Sequence, residues 1–435
     1  MKPGSQHLTK SIRWWDGVAI TASVKLSSPG GRFAHLRFAP GALVRLFQVC
    51  CAGALWTVAL AADPKGHGGL EPAILETETS DVAVLPPPGP HRVLVGSGLE
   101  TGGLHVLDAD TGNRLGEIYT ASGANFAIDP NNAYYYVAET YWSHGNRGKR
   151  DDLLSIYDNQ LKLVAEVAIP GRLIAMPKSP TLAVSGDGRW AYVYDLQPAA
   201  SVSVVDLSTR KLAAVVEIPG CGMVYAWRSA GFSSLCADGS TATITRQGAK
   251  YTVSHSERFF NAELDPVFEE SLVDRSTEHA FFISYTGIVY EAQLGEHFRI
   301  LEHWSLQQAA QLAPATTSAL EYTWRPGGGH FAALHKASGR LFVLMHVGTH
   351  WTHKQPGTEI WVFDTKHQQR VARLPIPAPA DTITVSQDAE PQLYVLTSRD
   401  ADEATDQLAI LNAQSGEVLR TVKGVGGLFA AVQGF

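Results

Sequence analysis

Three histidines near residue 350 are the clearest candidates for metal chemistry in this sequence. The run Met345–Lys354 contains His346, His350 and His353, and imidazole nitrogens commonly ligate zinc and copper. Their spacing is that of a helix, but the run joins two predicted strands. No carboxylate lies within it to orient the rings, and Glu359 is the nearest. We therefore interpret the run as a long polar loop between strands rather than as a metal site.

A glycine-rich stretch, Gly96–Gly102, resembles a dinucleotide-binding loop. Its third glycine falls one position late, and the residues that follow predict a strand. A bound phosphate would therefore lack the helix N-terminus that such loops use, and we expect turn glycines instead. The sequence also contains no Gly-x-Ser-x-Gly elbow, His-Glu-x-x-His pair or P-loop. It thus shows no self-sufficient catalytic set.

Cys221 and Cys236 predict a disulfide. The other two cysteines, Cys50 and Cys51, lie in a predicted signal peptide, so an even pair remains in an oxidising compartment. Cys221 follows one strand and Cys236 lies in the next, and a hairpin-like return would bring them side by side. A dithiol redox pair normally has two intervening residues, whereas 14 lie between these cysteines. Closing this loop should stabilise the fold by about 3 kcal/mol in the chain-entropy model.

The elements that carry these residues recur along the chain. Apolar runs ending in Asp, or once in Asn, are Leu104–Asp108, Leu154–Asp158, Val202–Asp206, Ile360–Asp364 and Leu408–Asn412. Their spacing is 50 and 48 residues in the first half and 48 in the last step. Each run follows another across a loop and precedes a polar turn and a further strand, which predicts about four antiparallel strands a unit. We expect each terminal side chain to cap its turn through backbone N–H groups.

Two irregular units fit into the 158 residues between Asp206 and Asp364. One contains Thr241–Ile244 and the other Gly287–Tyr290. The units then number seven, and a repeat of this size is typical of a propeller blade. The sequence therefore predicts an all-β fold, a seven-bladed β-propeller over residues 91–435 with four antiparallel strands in each blade. A pair of β-sandwiches and a solenoid are the alternatives.

Residues 1–61 are interpreted as a signal peptide with an unusually long N-terminal extension. The apolar run after Arg45 is short for a bilayer span and ends in Ala59–Ala61, a small-x-small cleavage pattern. We predict cleavage after Ala61, which leaves no membrane anchor; a retained anchor is the alternative. A start codon placed too far upstream would explain the extension. Residues 62–90, rich in Pro and Gly, predict an arm that leads into the propeller.

The charge balance argues against one class of partner. The chain has a net charge of −7, and residues 1–62 carry +6, so the remainder carries −13. An acidic body makes a nucleic-acid partner improbable, since phosphate binding needs a basic face. The hydrophobic fraction of 45% and the charged fraction of 18% are those of an ordinary folded protein.

Several segments resemble the heavy subunit of the tryptophan tryptophylquinone amine dehydrogenases, the methylamine and aromatic amine types. They cover nearly all of residues 90–425, and their order and spacing together are specific. The segments are Arg147–Asp152 before Asp158, Gln197–Ala199 before Asp206, Cys221 with Cys236–Gly239, Trp324–Gly328, His335–Ala337, Arg340, His353–Lys354, Asp364, Val385–Asp388 and Ser415–Glu417. The cysteine segment resembles the disulfide of that family's heavy chain.

The resemblance implies a non-catalytic heavy subunit in a periplasmic heterotetramer of two heavy and two light chains. The small light chain carries tryptophan tryptophylquinone. We therefore expect no cofactor, no catalytic residue and no metal ligand on this chain. A primary amine attacks the quinone carbonyl, a light-chain carboxylate removes a proton, and an aldehyde is released. Electrons then pass to a cupredoxin such as amicyanin or azurin. In this scheme the heavy chain shields the cofactor, lines the substrate channel and fixes the light chain.

One loop departs from the family pattern. The family's heavy chain has a phenylalanine at the mouth of the substrate channel, in the loop before the first Asp-ended strand. Here that loop contains no aromatic residue, and Leu99 is its nearest large apolar side chain. Leu99 is therefore the candidate for the gate, and ordinary packing at a loop edge is the alternative. Because this residue differs, the amine preference of the family is not predicted for this chain.

Two other functions are compatible with the sequence. A stand-alone periplasmic propeller would bind a protein or a carbohydrate without a light chain. A self-contained enzyme on the same fold, such as a lactonase, would need a metal-binding set of carboxylates in its central channel. Because a fold alone does not fix function, a co-purifying chain with quinone absorbance is the observation that separates these hypotheses.

Overall fold

Antiparallel β-strands make up nearly all of the regular structure. The computed structural model describes residues 84–96, 103–228, 231–397, 407–425 and 431–434. β-Branched and aromatic residues fill the strand interiors, because such side chains pack well on a pleated surface. The helices of this part of the chain are one 3₁₀ turn, Ser179–Thr181, and α1, Leu306–Ala309. Neither is long or apolar enough to cross a bilayer.

The strands are short, and they are numbered in chain order. The first fourteen are β1 (Arg92–Gly96), β2 (Leu104–Asp108), β3 (Arg114–Ile118), β4 (Asn125–Ile128), β5 (Tyr134–His144), β6 (Arg147–Asp158), β7 (Leu163–Ala168), β8 (Arg172–Leu173), β9 (Leu182–Val184), β10 (Trp190–Gln197), β11 (Ser201–Asp206), β12 (Lys211–Glu217), β13 (Cys221–Ala226) and β14 (Gly231–Cys236). The others are β15 (Thr241–Gln247), β16 (Lys250–His255), β17 (Leu272–Asp274), β18 (His279–Ile283), β19 (Ile288–Gln293), β20 (Arg299–Ser305), β21 (Thr323–Pro326), β22 (Ala332–His335), β23 (Arg340–Gly348), β24 (Gly357–Asp364), β25 (Gln369–Val385), β26 (Gln392–Thr397), β27 (Gln407–Asn412), β28 (Val418–Lys423) and β29 (Ala431–Gly434).

Hydrogen bonds join these strands into antiparallel sheets with a common unit of four. Four sheets have the orders β29-β1-β2-β3, β4-β5-β6-β7, β13-β14-β15-β16 and β17-β18-β19-β20. A fifth has β8 and β9 both paired with β10, followed by β11 and β12. The sixth has eight strands, with β21 and β22 paired to β23 and then β24 to β28. This topology supports a propeller.

The eight-stranded sheet consists of two groups of four that share β25. The first half of β25 pairs with β24, and the second half, from Ala380, pairs with β26. Between these halves the sequence contains Pro375, Pro377 and Pro379. Proline has no N–H to donate to a ladder, so the prolines mark the point at which the strand changes partners.

The runs singled out in the sequence all occupy the same position in the unit. Strands β2, β6, β11, β24 and β27 end in Asp or Asn, and each is third in its group of four. The runs Thr241–Ile244 and Gly287–Tyr290 also fall on third strands, β15 and β19. The prediction of recurring four-stranded units is confirmed. The two units inferred between Asp206 and Asp364 also form four-stranded sheets.

Buried apolar clusters lie between successive groups of strands. Leu94 and Tyr135 belong to a cluster that connects the first group to the second. Equivalent clusters connect each later group to the next. Val93 belongs to a cluster with Tyr394 and Ile410, and this cluster joins β26 and β27 to β1 and β2. The core is thus a series of face-to-face contacts between sheets.

The predicted N-terminal regions fall mostly outside the described residues. The signal peptide, residues 1–61, lies wholly outside them, and so do residues 62–83 of the predicted arm. Residues 84–90 precede the first strand and are not part of a sheet. The cleavage site and the arm therefore stay predictions.

Candidate functional site

Each of the three histidines has its own environment. His346 lies in β23, not in a loop as predicted, because the strand continues past it. His350 and His353 lie in the segment between β23 and β24. Nε2 of His346 is 2.8 Å from Oγ1 of Thr352, and Nε2 of His350 is 2.8 Å from the carbonyl oxygen of Leu264. These hydrogen bonds tie the segment to its surroundings.

The buried histidines are neutral at neutral pH. Burial lowers the pKa of His346 to about 4, and the positive charge of Arg325 adds to this shift. The pKa of His353 is also lowered to about 4, mainly by burial, and the charge of Lys354 contributes in the same direction. The ring of His353 stacks on Tyr285, with 3.7 Å between ring centroids and 14° between planes. The histidines therefore act here as hydrogen-bonding and stacking groups.

Cys221, Cys236 and His255 are the one group of three described residues whose ligand atoms lie close enough to hold a metal ion. The two cysteines form the predicted disulfide, with an S–S distance of 2.05 Å. They face each other in the register of β13 and β14. Metal binding requires the thiolate form of cysteine, so this group does not fit a metal site.

Ser179, Glu270 and His330 resemble a nucleophile–base–acid set but have the wrong geometry. Oγ of Ser179 and Oε1 of Glu270 both lie 3.1 Å from the same nitrogen, Nε2 of His330. A catalytic relay needs the carboxylate on the opposite ring nitrogen from the hydroxyl. The Ser179 backbone N–H also donates to Oε1 of Glu270 at 3.1 Å. The arrangement is a structural hydrogen-bond network.

The Asp residues that end the third strands cap turns, as predicted. Oδ1 of Asp108 accepts the N–H of Asp110 at 3.0 Å. Asn412, the amide member of the series, accepts two backbone N–H groups at 2.9 Å each. At Asp364 a side-chain hydrogen bond from His367 is the main cause that lowers the pKa to about 2. These polar residues are therefore explained by local turn structure.

One end of the sheets carries the long loops. In each group of four, the hairpin from the second to the third strand and the segment to the next group leave the sheet at the same end. Lys178, between β8 and β9, forms an ion pair with Glu269, between β16 and β17. Nε2 of His350, in the hairpin from β23 to β24, lies 2.8 Å from the carbonyl oxygen of Leu264, in the segment from β16 to β17. The loops at these ends therefore form one surface, which we call the connection face.

Exposed apolar side chains mark the connection face. Among the described residues, nine large ones occur on its loops or on the strand ends that lead into them: Tyr119, Tyr141, Met176, Leu196, Leu264, Leu312, Leu320, Tyr322 and Trp351. The remainder are Val84 and residues of the outermost strands: Leu163, Leu212, Val215, Val253, Leu301, Val371, Val418 and Leu419. At the opposite ends of the sheets, the hairpin loops of the described part contribute none, and Leu163, Leu212, Val418 and Leu419 lie at the starts of outer strands there. Such asymmetry is typical of a surface that binds another protein.

The predicted gate residue, Leu99, lies outside the described residues. Its loop joins β1 to β2, the second and third strands of their group, and such hairpins leave at the connection end. The exposed residues of the connection face were missed in the sequence. Leu264 and Tyr322 lie in loops without a repeat pattern, and only the exposure of their side chains distinguishes them.

Comparison with known proteins gives a consistent result. The family model for the methylamine dehydrogenase heavy chain matches residues 98–431. The methylamine dehydrogenase heavy chain of Methylophilus methylotrophus is 27% identical over 379 residues, which are 85% of this chain and 90% of the relative. That of Methylobacillus flagellatus is 26% identical over 398 residues, covering 88% and 96%.

Solved structures show similarity at the level of the fold. A candidate 6-phosphogluconolactonase from Bacteroides fragilis has a TM-score of 0.53 and 10% identity, over 82% of this chain and 99% of the other. One from Bacteroides uniformis has a TM-score of 0.52 and 10% identity, over 79% and 99%. At this identity the likeness concerns the fold alone and says nothing of chemistry.

The family match begins just before β2 and reaches the first residue of β29. It therefore includes all the Asp-ended strands, the disulfide and most of the connection face. The relatives are matched over nearly their whole length. This chain belongs to the methylamine dehydrogenase heavy chain family.

Proposed function

We propose that this chain is the non-catalytic heavy subunit of a periplasmic quinoprotein amine dehydrogenase. The connection face carries the proposal, because a heavy chain works beside a lighter partner and this face exposes apolar side chains from several loops. Exposed apolar surface gathered at one end of a protein is typical of a binding surface. The described polar network around His330 lacks the geometry of a catalytic relay.

The proposed reaction is the oxidation of a primary amine to an aldehyde. Tryptophan tryptophylquinone on the light chain supplies the electrophilic carbonyl and accepts the electrons, which a cupredoxin then receives. When a partner covers the connection face, its exposed Tyr, Trp, Leu and Met side chains exclude water from the contact. The complete assembly is a heterotetramer of two heavy and two light chains.

We further propose that seven groups of four strands close into a ring. The buried cluster that contains Val93 and Tyr394 supports this closure, because it connects the last group to the first. Polar contacts at the same junction add to it: Nε2 of His91 lies 3.2 Å from Oδ2 of Asp388. A ring covers both faces of every sheet and leaves only short edges. A propeller of this kind is a rigid support for a smaller chain.

Purification of the full-length protein from its native host tests the function. A small chain with quinone absorbance should co-purify, and the complex should reduce a one-electron acceptor when a primary amine is added. The heavy chain expressed alone should show no amine oxidation. Turnover by the heavy chain alone would contradict the division of labour. A chain that purifies without any such partner would instead favour a stand-alone propeller that binds a protein or a carbohydrate.

A further inference from the structure

Three loops at one side of the connection face expose a compact apolar group. Leu264 lies between β16 and β17, Leu320 and Tyr322 lie between α1 and β21, and Trp351 lies between β23 and β24. Their exposed fractions are 60%, 94%, 72% and 54%. Three separate segments therefore place large apolar side chains in solvent. We call these four residues the loop platform.

Strand pairing and a side-chain hydrogen bond hold the loops of the platform side by side. Thr323, next to Tyr322, pairs with Gly348 in the register of β21 and β23. Trp351 follows Gly348 by three residues. His350 Nε2 lies 2.8 Å from the carbonyl oxygen of Leu264, which ties the third loop to the same place. The loops that carry the four side chains are thus neighbours in space, although Leu264 and Trp351 are 87 positions apart in the sequence.

A buried arginine fixes the loop that carries Leu320 and Tyr322. Arg325 is 1% exposed. Its Nη2 donates to the Thr316 carbonyl and to the Glu321 carboxylate, each at 2.8 Å. Its Nε donates to the Gly348 carbonyl at 3.3 Å. Because these bonds are buried and charge-assisted, the loop is held in place before any partner arrives.

Trp351 is presented to solvent by a strained backbone and an aromatic support. Its φ of 70° lies in the left-handed region, which a bulky residue adopts only at a cost of about 1–3 kcal/mol. Its ring contacts Tyr285 edge-on at 5.9 Å between centroids. Tyr285 in turn packs on His353 and on buried Phe268. The fold therefore supports an exposed indole in an unfavourable conformation, which points to a binding role.

The size of the loop platform matches the centre of a protein interface. An aromatic side chain buries about 150–250 Å², so Trp351 and Tyr322 together leave roughly 200–300 Å² of ring surface in water at their stated exposures. The two leucines bring the apolar area to the several hundred Å² that mark interaction sites on monomers. A standard interface buries about 800 Å² on each partner, and Trp and Tyr are the residues most often found at its energetic centre.

Two carboxylates next to the platform are engaged by groups of this chain. Glu321 is paired with Arg325, and the carboxylate of Asp265 accepts the N–H and the hydroxyl of Thr286 at 2.9 and 2.6 Å. The exposed apolar side chains are therefore the main feature that the platform offers to a partner. A folded protein with an exposed apolar patch has this chemistry, and the light chain is the folded partner that the proposed function requires.

We propose that the loop platform is the docking surface for the light chain, with Trp351 and Tyr322 as its anchors. The inference rests on the proposed function and adds to it the residues that bind the partner. It also implies that the light chain covers the side of the connection face formed by the groups that contain β17 to β20 and β21 to β25.

One variant removes the two anchors, and a second places a charge beside them. Trp351→Gly suits a backbone with positive φ, and it is combined with Tyr322→Ala. Leu320→Glu, at a position that is 94% exposed, places a charge in the platform without removing any packed side chain. The matched control is Val215→Ala on the outer strand β12, which is 46% exposed. Each protein is purified at full length, and its thermal unfolding is compared with that of the wild type.

The measurement is the affinity of each variant for the quinone-bearing light chain that co-purifies with the wild type. We expect the double variant and Leu320→Glu each to weaken binding by about thirtyfold or more, as loss of an interface anchor does, and the control to bind normally. An unchanged affinity in both variants would overturn the docking surface while the complex, and hence the proposed function, still stands. Loss of self-association in place of light-chain binding would also overturn it, in favour of a second copy as the occupant. A wild-type protein that binds no light chain would overturn both proposals.

Discussion

Asp195 is a fully buried carboxyl group whose protonation is coupled to folding. Its Oδ2 accepts the Ser203 hydroxyl at 2.7 Å, while its Oδ1 has no hydrogen-bond partner among the described residues. Burial is the main cause that raises its pKa to about 6, and the nearby charge of Asp152 contributes in the same direction. Because the folded state binds this proton more tightly than the unfolded state, the group destabilises the protein as the pH rises from about 4 to 6.

Replacing Asp195 by Asn should remove this pH dependence. An amide keeps an oxygen for Ser203 but carries no charge. The free energy of unfolding of Asp195→Asn, relative to wild type, should therefore rise by up to about 3 kcal/mol between pH 4 and pH 7, as a pKa shift of about two units implies. Urea unfolding at both pH values measures it. A difference that does not change with pH would show that the buried carboxyl does not titrate as described.

Leu99→Phe tests the gate at the residue scale. The substitution restores an aromatic side chain to the loop before β2, as the family pattern has it. We expect the complex with the light chain to change its relative kcat/KM among small and bulky primary amines, with little change in thermal unfolding. Val215→Phe on the outer strand β12 is the control. An identical preference across the amine series would argue for ordinary packing at Leu99.

Turn caps recur at the element scale, where one side chain ends the third strand of a group. Oδ1 of Asp206 accepts the N–H of Ser208 at 3.0 Å and of Thr209 at 3.4 Å. The same role is filled by Asn412 in the last group. The cap therefore depends on an acceptor oxygen at this position and not on a negative charge.

Asp206→Ala should lower the free energy of unfolding by about 1–2 kcal/mol, because two backbone donors lose their acceptor. Asp206→Asn should retain most of the stability, since its amide oxygen can accept the same bonds. Denaturant unfolding of both variants separates the two contributions. Equal losses in the two variants would assign the stabilisation to the charge of Asp206.

At the scale of the whole molecule, the first group of strands depends on the end of the chain. β29 pairs with β1 from Ala431 opposite Gly96 to Gly434 opposite Val93. Without β29, β1 becomes an open edge with unpaired backbone groups. Local sequence therefore cannot complete this sheet, and its formation must await the last residues of the chain.

A truncation after Val425 should lower the midpoint of thermal unfolding sharply and broaden the transition, because it removes β29 from the first sheet and exposes the cluster that contains Val93. Removing Phe435 alone is the control, since the pairing with β1 ends at Gly434. Thermal unfolding followed by circular dichroism measures the effect. An unchanged midpoint in the longer truncation would contradict the proposed closure of the ring.

Periodic and local features of this protein were readable from sequence. The Asp-ended runs repeat because the third strand of each such group is followed by the same kind of turn. A carboxylate or amide at the end of that strand caps the turn. The pairing of Cys221 with Cys236 was readable because the two residues belong to adjacent strands. These features involve residues that are close in the chain or that repeat at a fixed interval. Such patterns can be detected in a single sequence.

Only the tertiary structure decided which residues meet on the connection face. Ser179 and His330 are 151 residues apart, and Leu264 meets the loop of Trp351 through the hydrogen bond between Nε2 of His350 and its carbonyl oxygen. His346 proved to lie in a strand because its neighbours in β21 extend the pairing of β23. Loops have no period, and their contacts depend on how whole sheets pack against one another. The amino-acid sequence therefore determined the repeating frame of this protein, and the packing of that frame decided its surface.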